Sequence, residues 1–420
     1  MMYYNMNNKQ YSTSNSLLNE GYSNSKYYFD GGKGSKILLN NKEYIDLSFG
    51  AGSLILGHNS KIYKNSIKDI TKKNLSILAS PNKQAFEFSK LLSKIFKNYS
   101  KFIFCNSGTE AIFKTLRIAR TISKKEKIVS VTGSWHGSAD NLLFTANKKL
   151  KPEPLSNGLP NENKKNLIFI PYNDIKLSKK ILDKNKKFVS CIIIEPIQGC
   201  LPTEKSKNYL KFLEKYSNKN KIILIFDEMI TGLRSRENSV QAAFKIKPSI
   251  STFGKCLGGG MPIGIIAINR KIEKLLKKNK KKVFFGGTFS GNSISTYIGK
   301  KTTEFIFKNK KKIYQNLERK SIYFQDELNH YISNNNINAK IYRFGSLIRL
   351  VFSNKEIDNR LQRDFFEKNS SNNIKKIKNF FYINNINYPS NGLIFFSYST
   401  SDKDIKKIIK IFKLGLKKFF

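Results

Sequence analysis

From Lys101 to about Ile268 the chain alternates two kinds of apolar pattern. Short, nearly continuous apolar runs, bounded by Gly, Pro or Asn, predict strands covered on both faces. They are KFIFCNS, KIVSVTG, NLIFIPYN, FVSCIIIEP, IILIFDE, SISTFGK and GIIAINR. Between them, GTEAIFKTLRIAR and YLKFLEKY space their apolar residues at helical intervals. Strand alternating with helix predicts a mostly parallel sheet in an α/β domain.

The flanks read differently. GSKILLNNKEYIDLSFG (Gly34–Gly50) predicts a small antiparallel pair that turns at Asn40-Asn41. Beyond about Ser293, long amphipathic helices lead to strands near residues 345–352 and 392–398, and a helix closes the chain. The predicted organisation has three parts. Residues 1–70 form an N-terminal segment belonging to a small domain, 71–296 a large α/β domain, and 297–420 the rest of a smaller α+β domain. KPEPLSNGLPNENKKN (Lys151–Asn166) is the one long polar insertion and reads as a loop, either a lid or simply mobile.

Composition changes little of this. The 420 residues are 40 % hydrophobic, with 32 Phe and 20 Tyr, enough for a substantial core. The formal charge of +46 raises a nucleic-acid or membrane partner. The lysines are spread along the whole chain, however, and Asn and Ile are inflated with them, a pattern of AT-rich codon usage. No zinc-finger spacing or RNA-binding aromatic motif accompanies them. The reading is therefore no specific nucleic-acid partner and no membrane span, since the longest apolar runs are far too short. Cys105, Cys191, Cys200 and Cys256 are isolated and form no CxxC pair, which suits reduced thiols. The N-terminus does not read as a secretory signal. A cytoplasmic location is expected.

Ligands of α/β sheets bind beyond the carboxyl ends of the strands, and four motifs lie there. CNSGTEA (Cys105–Ala111) puts Ser107, Gly108 and Thr109 at a helix start, where free amides and hydroxyls suit a phosphate. SWHGSAD (Ser134–Asp140) brings the only tryptophan, Trp135, a flat face for stacking. IFDEMITG (Ile225–Gly232) ends an apolar strand on Asp227 and Glu228, and a buried carboxylate needs a cationic or donor partner. STFGKCLGGGMPIG (Ser251–Gly264) holds Lys255 at a strand end before three glycines, and a desolvated lysine amine forms Schiff bases. Each motif alone has an ordinary structural reading as a cap, a rim aromatic or a strand-end residue. Together they describe a pocket for pyridoxal 5′-phosphate (PLP), which needs its phosphate held, its ring stacked, its ring nitrogen kept protonated and its aldehyde bound.

The same stretches, with GKGSKILLNNKEYIDL, SLILGH, PYND, IEPIQG, FDEMITGLR and GGTFSGN, resemble the class III, fold type I, PLP-dependent aminotransferases, and within them the glutamate-1-semialdehyde 2,1-aminomutase branch. The resemblance runs from about Gly32 to the last helix. It implies that Lys255 binds the cofactor aldehyde and Asp227 pairs with the ring nitrogen. Trp135 and Met229 would flank the ring, and Ser107, Gly108 and Thr109 would hold the phosphate. Thr288 would reach the phosphate in a neighbouring subunit, which implies a homodimer with shared sites. The implied activity is transfer of an amino group from a small-molecule donor to a carbonyl acceptor.

Departures fall at expected substrate positions. The branch anchors its substrate carboxylate with an arginine near the N-terminus, whereas no arginine precedes Arg117 here. Its Asn after the Glu-Pro motif is Cys200, and its Trp-Gly is replaced by Phe49–Gly52. Arg and Lys differ where a carboxylate is held bidentately. The reading is an aminotransferase with a different carbonyl substrate, and the alternative is the aminomutase itself.

Overall fold

Near the N-terminus β1 (Gly31–Lys33), β2 (Lys36–Leu39) and β3 (Lys42–Asp46) form an antiparallel ribbon in the computed structural model, which describes residues 29–234, 237–279 and 282–420. Of the expected 1–70 segment, residues 1–28 lie outside the described residues. Asn40 and Asn41 have φ of 47° and 61°, and Leu39 pairs with Lys42, so the predicted two-residue turn closes this hairpin.

The seven predicted strands join in one sheet. They are β4 (Lys101–Cys105), β5 (Lys127–Val131), β8 (Leu167–Ile170), β9 (Val189–Ile194), β10 (Ile223–Asp227), β11 (Ile250–Gly254) and β12 (Gly264–Ile268). Their order is β4-β12-β11-β10-β9-β5-β8. Only β12 runs against the others, antiparallel to both β11 and β4. Alternation along the strands fills both faces. Cys191, Ile193 and Ile225 pack with Ile112 and Leu116 of the Gly108–Ser123 helix on one side. Ile192, Ile194 and Leu224 pack with Leu210 and Leu213 on the other. Six parallel strands end on one edge, and every candidate motif hangs from it.

The Lys151–Asn166 insertion is not a bare loop. Between β5 and β8 a short hairpin forms from β6 (Phe144–Ala146) and β7 (Pro152–Pro154), followed by a helical turn at Asn161–Lys165. Pro152 and Pro154 sit on an edge strand, where a missing amide costs no ladder bond. Asn141 Nδ2 donates to Asn163 Oδ1 at 2.7 Å and ties the turn back to the domain.

The second half of the chain builds the smaller layer. Helices Ser293–Lys308 and Lys310–Asn334 lead to an antiparallel sheet of β13 (Lys340–Phe344), β14 (Leu347–Val351) and, beyond β15 (Ile386–Asn387), β16 (Leu393–Phe395). β15 adds parallel to β3, so N-terminal and C-terminal segments share a sheet. All four cysteines are free, and three are fully buried. Burial pushes the Cys105 and Cys191 thiols up to about 12, so they behave as small apolar side chains. No helix among the described residues is long and apolar enough to cross a membrane.

Candidate active site

β4 stops at Cys105, and the chain enters the Gly108–Ser123 helix through Ser107, whose extended backbone and side chain make the N-cap. Ser107 Oγ accepts from the Glu110 amide at 3.1 Å, leaving the amides of Gly108 and Thr109 at the open, positive end of the helix. The neighbouring strand comes very close: a Cβ at Gly264 would lie 2.1 Å from the Ser107 carbonyl oxygen. Thr109 Oγ1 accepts from the Ser138 amide at 3.2 Å and so draws the loop after β5 over the helix start. Met229 lies between the positions a Cβ would take at Gly108 and at Gly254. Its side chain therefore bridges the helix start and the residue before Lys255.

Asp227 is the last residue of β10, in register with Thr252 of β11. Its Oδ1 accepts from Thr252 Oγ1 at 3.0 Å and from the Met229 amide at 3.1 Å, while its Oδ2 lies 2.8 Å from His136 Nδ1. His136 is buried and its Nε2 has no hydrogen-bond partner among the described residues. The adjacent Glu228 turns the other way. It accepts from the Val240 and Gln241 amides, Thr231 Oγ1 and Gln241 Nε2, a fully occupied carboxylate inside the core. The strand-end pair is thus split between the site and the interior.

A third carboxylate, Glu195, follows β9 and accepts from the Trp135 amide at 2.8 Å. Burial, reinforced by Asp227, pushes its carboxyl up to about 7, against the opposing pull of His136, the Trp135 amide and Lys255. Lys255 begins the turn after β11 with φ of 44°, a left-handed backbone that a long side chain rarely adopts. Burial holds its amine below the ordinary lysine range, although Asp227 and Glu195 pull it back up. A lysine kept toward its neutral form is a nucleophile and a proton carrier.

The structure brings Ser107, Gly108, Thr109, Asp227, Met229 and Lys255 to one edge of the sheet. Trp135 stands on the same edge, 53 % exposed as a residue and held by its backbone amide to Glu195. Thr288 is exposed, on a loop whose Phe285 carbonyl accepts from Lys114 Nζ at 2.7 Å and whose Ser290 Oγ donates to Glu110 at 3.2 Å. Sequence reasoning passed over His136, Glu195 and Thr252 as site residues. His136 and Glu195 lie inside motifs already singled out, SWHGSAD and IEPIQG, so a polar residue beside each marked position was the available signal. It also gave no hint that Phe49, Gly50, Ala51 and Gly52 all have positive φ, a left-handed turn whose last carbonyl accepts from the buried Arg234 at 2.7 Å and from Cys256 Sγ at 3.2 Å.

A strand-end lysine, a hydrogen-bonded carboxylate and an open helix start on one α/β sheet define a cofactor-dependent group-transfer enzyme. The family model for class III aminotransferases matches residues 18–379. A glutamate-1-semialdehyde 2,1-aminomutase of Thermosipho melanesiensis is 33 % identical over 389 residues, 90 % of this chain and 89 % of that one. The same-named protein of Thermodesulfovibrio yellowstonii is 32 % identical over 401 residues, 91 % and 90 % of the two chains. An ω-transaminase from Sphaerobacter thermophilus has the same fold, with a TM-score of 0.85 at 18 % identity over 94 % of this chain and 92 % of that one. A glutamate-1-semialdehyde aminomutase from Pseudomonas aeruginosa PAO1, in complex with PMP, has a TM-score of 0.83 at 16 % identity over 95 % and 89 %. The chain belongs to the class III aminotransferases and is a PLP-dependent enzyme of fold type I.

The residues present fit that cofactor. The open amides and hydroxyls at Ser107–Thr109 suit its phosphate, Asp227 its ring nitrogen and Lys255 its aldehyde. The unpartnered His136 Nε2, buried behind Asp227, marks polar capacity reserved at the same place.

Glu195 gives a pH signature measurable without cofactor. Its folded value of about 7 lies above the ordinary 4.5, so between these limits the folded chain holds a proton that the unfolded chain releases. Folding stability therefore falls as pH rises through this window, by roughly 3 kcal/mol in total. Glu195→Gln removes that term. The difference in melting temperature, variant minus wild-type apoprotein, is expected to grow in the variant's favour from pH 5 to pH 7.5; a difference independent of pH would contradict the assignment.

Proposed function

We propose that this chain is a two-substrate aminotransferase whose chemistry is carried by Lys255 and Asp227. Lys255 would hold the cofactor aldehyde, and its amine, kept toward the neutral form, would act as the base for the proton on the substrate α-carbon. Asp227 keeps a proton on the ring nitrogen, itself steadied by Thr252 and His136. Ser107, Gly108 and Thr109 hold the phosphate, and Trp135 and Met229 flank the ring. PLP, when bound, supplies the electron sink that this arrangement serves. The reading rests on one observation: a lysine depressed by burial beginning a left-handed turn beside Asp227.

The substrate reading is an acceptor other than glutamate-1-semialdehyde, because no arginine precedes Arg117 to grip its carboxylate from the N-terminal side, so any forked anchor must come from elsewhere and suit a differently placed acid group. The second reading is the aminomutase, favoured by the aminomutases among the curated relatives. The deciding assay offers glutamate-1-semialdehyde with no amino donor. Slow formation of 5-aminolevulinate, with faster turnover when a separate donor and acceptor are supplied, is expected. Efficient donor-free conversion would promote the second reading.

A homodimer completes the proposal. Ile77 and Leu78 are nearly half exposed, and Phe86, Phe284 and Phe289 are 63 %, 73 % and 54 % exposed. They belong to adjoining segments, because Asn82 Nδ2 donates to the Gly291 carbonyl at 2.8 Å and Ser293 Oγ bonds the Ser76 carbonyl. An apolar patch of this kind marks an interface, and Thr288 lies within it. Light scattering is expected to give twice the chain mass, and Phe284→Glu to shift the population to monomer with weaker cofactor retention. A monomeric wild type that keeps its cofactor would refute the shared site. The free, buried thiols support a reducing compartment such as the cytoplasm.

A further inference from the structure

Arg349 lies on β14, directly across the ladder from Leu393 of β16. Leu393 packs with Phe49 and Leu347, and its side chain comes within 2.9 Å of the position a Cβ would take at Gly199. That position is 4.0 Å from Glu195 Oε1. Arg349 therefore stands one ladder position from the wall that carries Glu195, on the same sheet face as Leu393.

The guanidinium lies against Gly392 and the Tyr388 hydroxyl, feels the charge of Glu367, and makes no ion pair among the described residues. Arg349 Nε is buried without a hydrogen-bond partner among the described residues. The carboxylate that acts on it, Glu367, is already engaged by Arg363 at 3.3 Å and by the Phe352 amide at 3.1 Å. Two more cations crowd the guanidinium. Arg363 Nη1 donates to the Cys200 carbonyl at 2.8 Å, and Lys378 Nζ to the Ser390 carbonyl at 2.6 Å. Burial holds the Arg349 guanidinium below its ordinary value, and Arg363 adds to that. A desolvated, unpaired cation is costly, and a bound anion offsets the cost.

We propose that Arg349 is the carboxylate anchor of this enzyme, taking the acid group of an oxo-acid acceptor at an end remote from its reacting carbonyl. The inference rests on the aminotransferase reading and names its substrate class. The anchor sits on the second strand of the small antiparallel sheet, a place no N-terminal residue supplies. Cys200, whose carbonyl is held by Arg363, adds no negative side chain of its own beside Arg349. Guanidinium geometry favours a forked pair of charge-assisted bonds to a carboxylate.

The test uses the holoenzyme converted to its amino form, with 4-oxobutanoate and its neutral amide as acceptors. Wild type is expected to prefer the acid, chiefly through KM. Arg349→Gln is expected to lower the acid-over-amide ratio of kcat/KM about ten- to a hundredfold. Arg349→Lys should recover part of it. Glutarate, which cannot react, is expected to raise the melting temperature of wild type and not that of Arg349→Gln. The melting temperature of Arg349→Gln without ligand should stay level or rise, because an unpaired buried charge has been removed. A fall in that temperature with an unchanged acid-over-amide ratio would assign Arg349 a purely structural role and overturn the proposal, as would a wild type indifferent to the carboxylate. Absence of any amino transfer, with any acceptor, would instead strike the aminotransferase reading.

Discussion

Lys255→Ala is expected to abolish turnover while leaving a folded protein that still binds PLP without a covalent link. The loss should be about 10⁴-fold or more, because one side chain supplies both the covalent attachment and the proton carrier. Folding should survive. The left-handed backbone at Lys255 leads into the turn through Gly258–Gly260, whose geometry does not depend on the amine. Alanine at φ of 44° keeps the strain and loses only the amine. Removing a desolvated amine should cost little stability, since burial already disfavours its charge. Steady-state assays and the yellow absorbance of the lysine-bound cofactor check this. A variant with near wild-type rate and an unchanged spectrum would remove Lys255 from the mechanism.

Asp227→Asn is expected to lower kcat about ten- to a thousandfold, the range by which a neighbouring opposite charge shifts a protonation equilibrium. Asparagine can still receive the Thr252 hydroxyl and Met229 amide, so the loop geometry at 3.0 and 3.1 Å should persist. What is lost is the negative charge that keeps the ring nitrogen protonated. Glu228→Gln is the informative contrast. All four donors around Glu228 point at a carboxylate, so a glutamine must turn an NH₂ toward at least one of them. That leaves unsatisfied donors in the core, at a cost of about 1–3 kcal/mol in stability. Its rate should be near wild type below the melting transition. A benign Asp227→Asn with a crippled Glu228→Gln would exchange the two roles.

Local features were legible in the chain because local physics dictates them. Asn40-Asn41 announced its hairpin because asparagine tolerates the left-handed region that such a turn needs. The seven strands announced themselves because burial on both faces leaves a continuous apolar run. Asp227 and Lys255 stood out as charged residues at the ends of such runs. What was hidden depends on partners far away in sequence. His136 meets Asp227 across 91 positions, and no periodicity encodes that pairing. The antiparallel course of β12 follows from a tight Gly259–Gly260 turn, which a run of glycines permits without specifying. Arg349 was unremarkable in a chain this basic. Only its placement beside Arg363, with Glu367 already engaged and its Nε unpartnered among the described residues, distinguishes it.

The most direct test of the account is to reduce the PLP-loaded protein with borohydride and map the modified peptide by mass spectrometry. In a chain with 76 Lys and Arg residues the outcome is discriminating. The account predicts the cofactor mass on Lys255 alone, and its disappearance when an amino donor is added before the reductant. A cofactor fixed to another lysine, or no fixed cofactor at all, would contradict it.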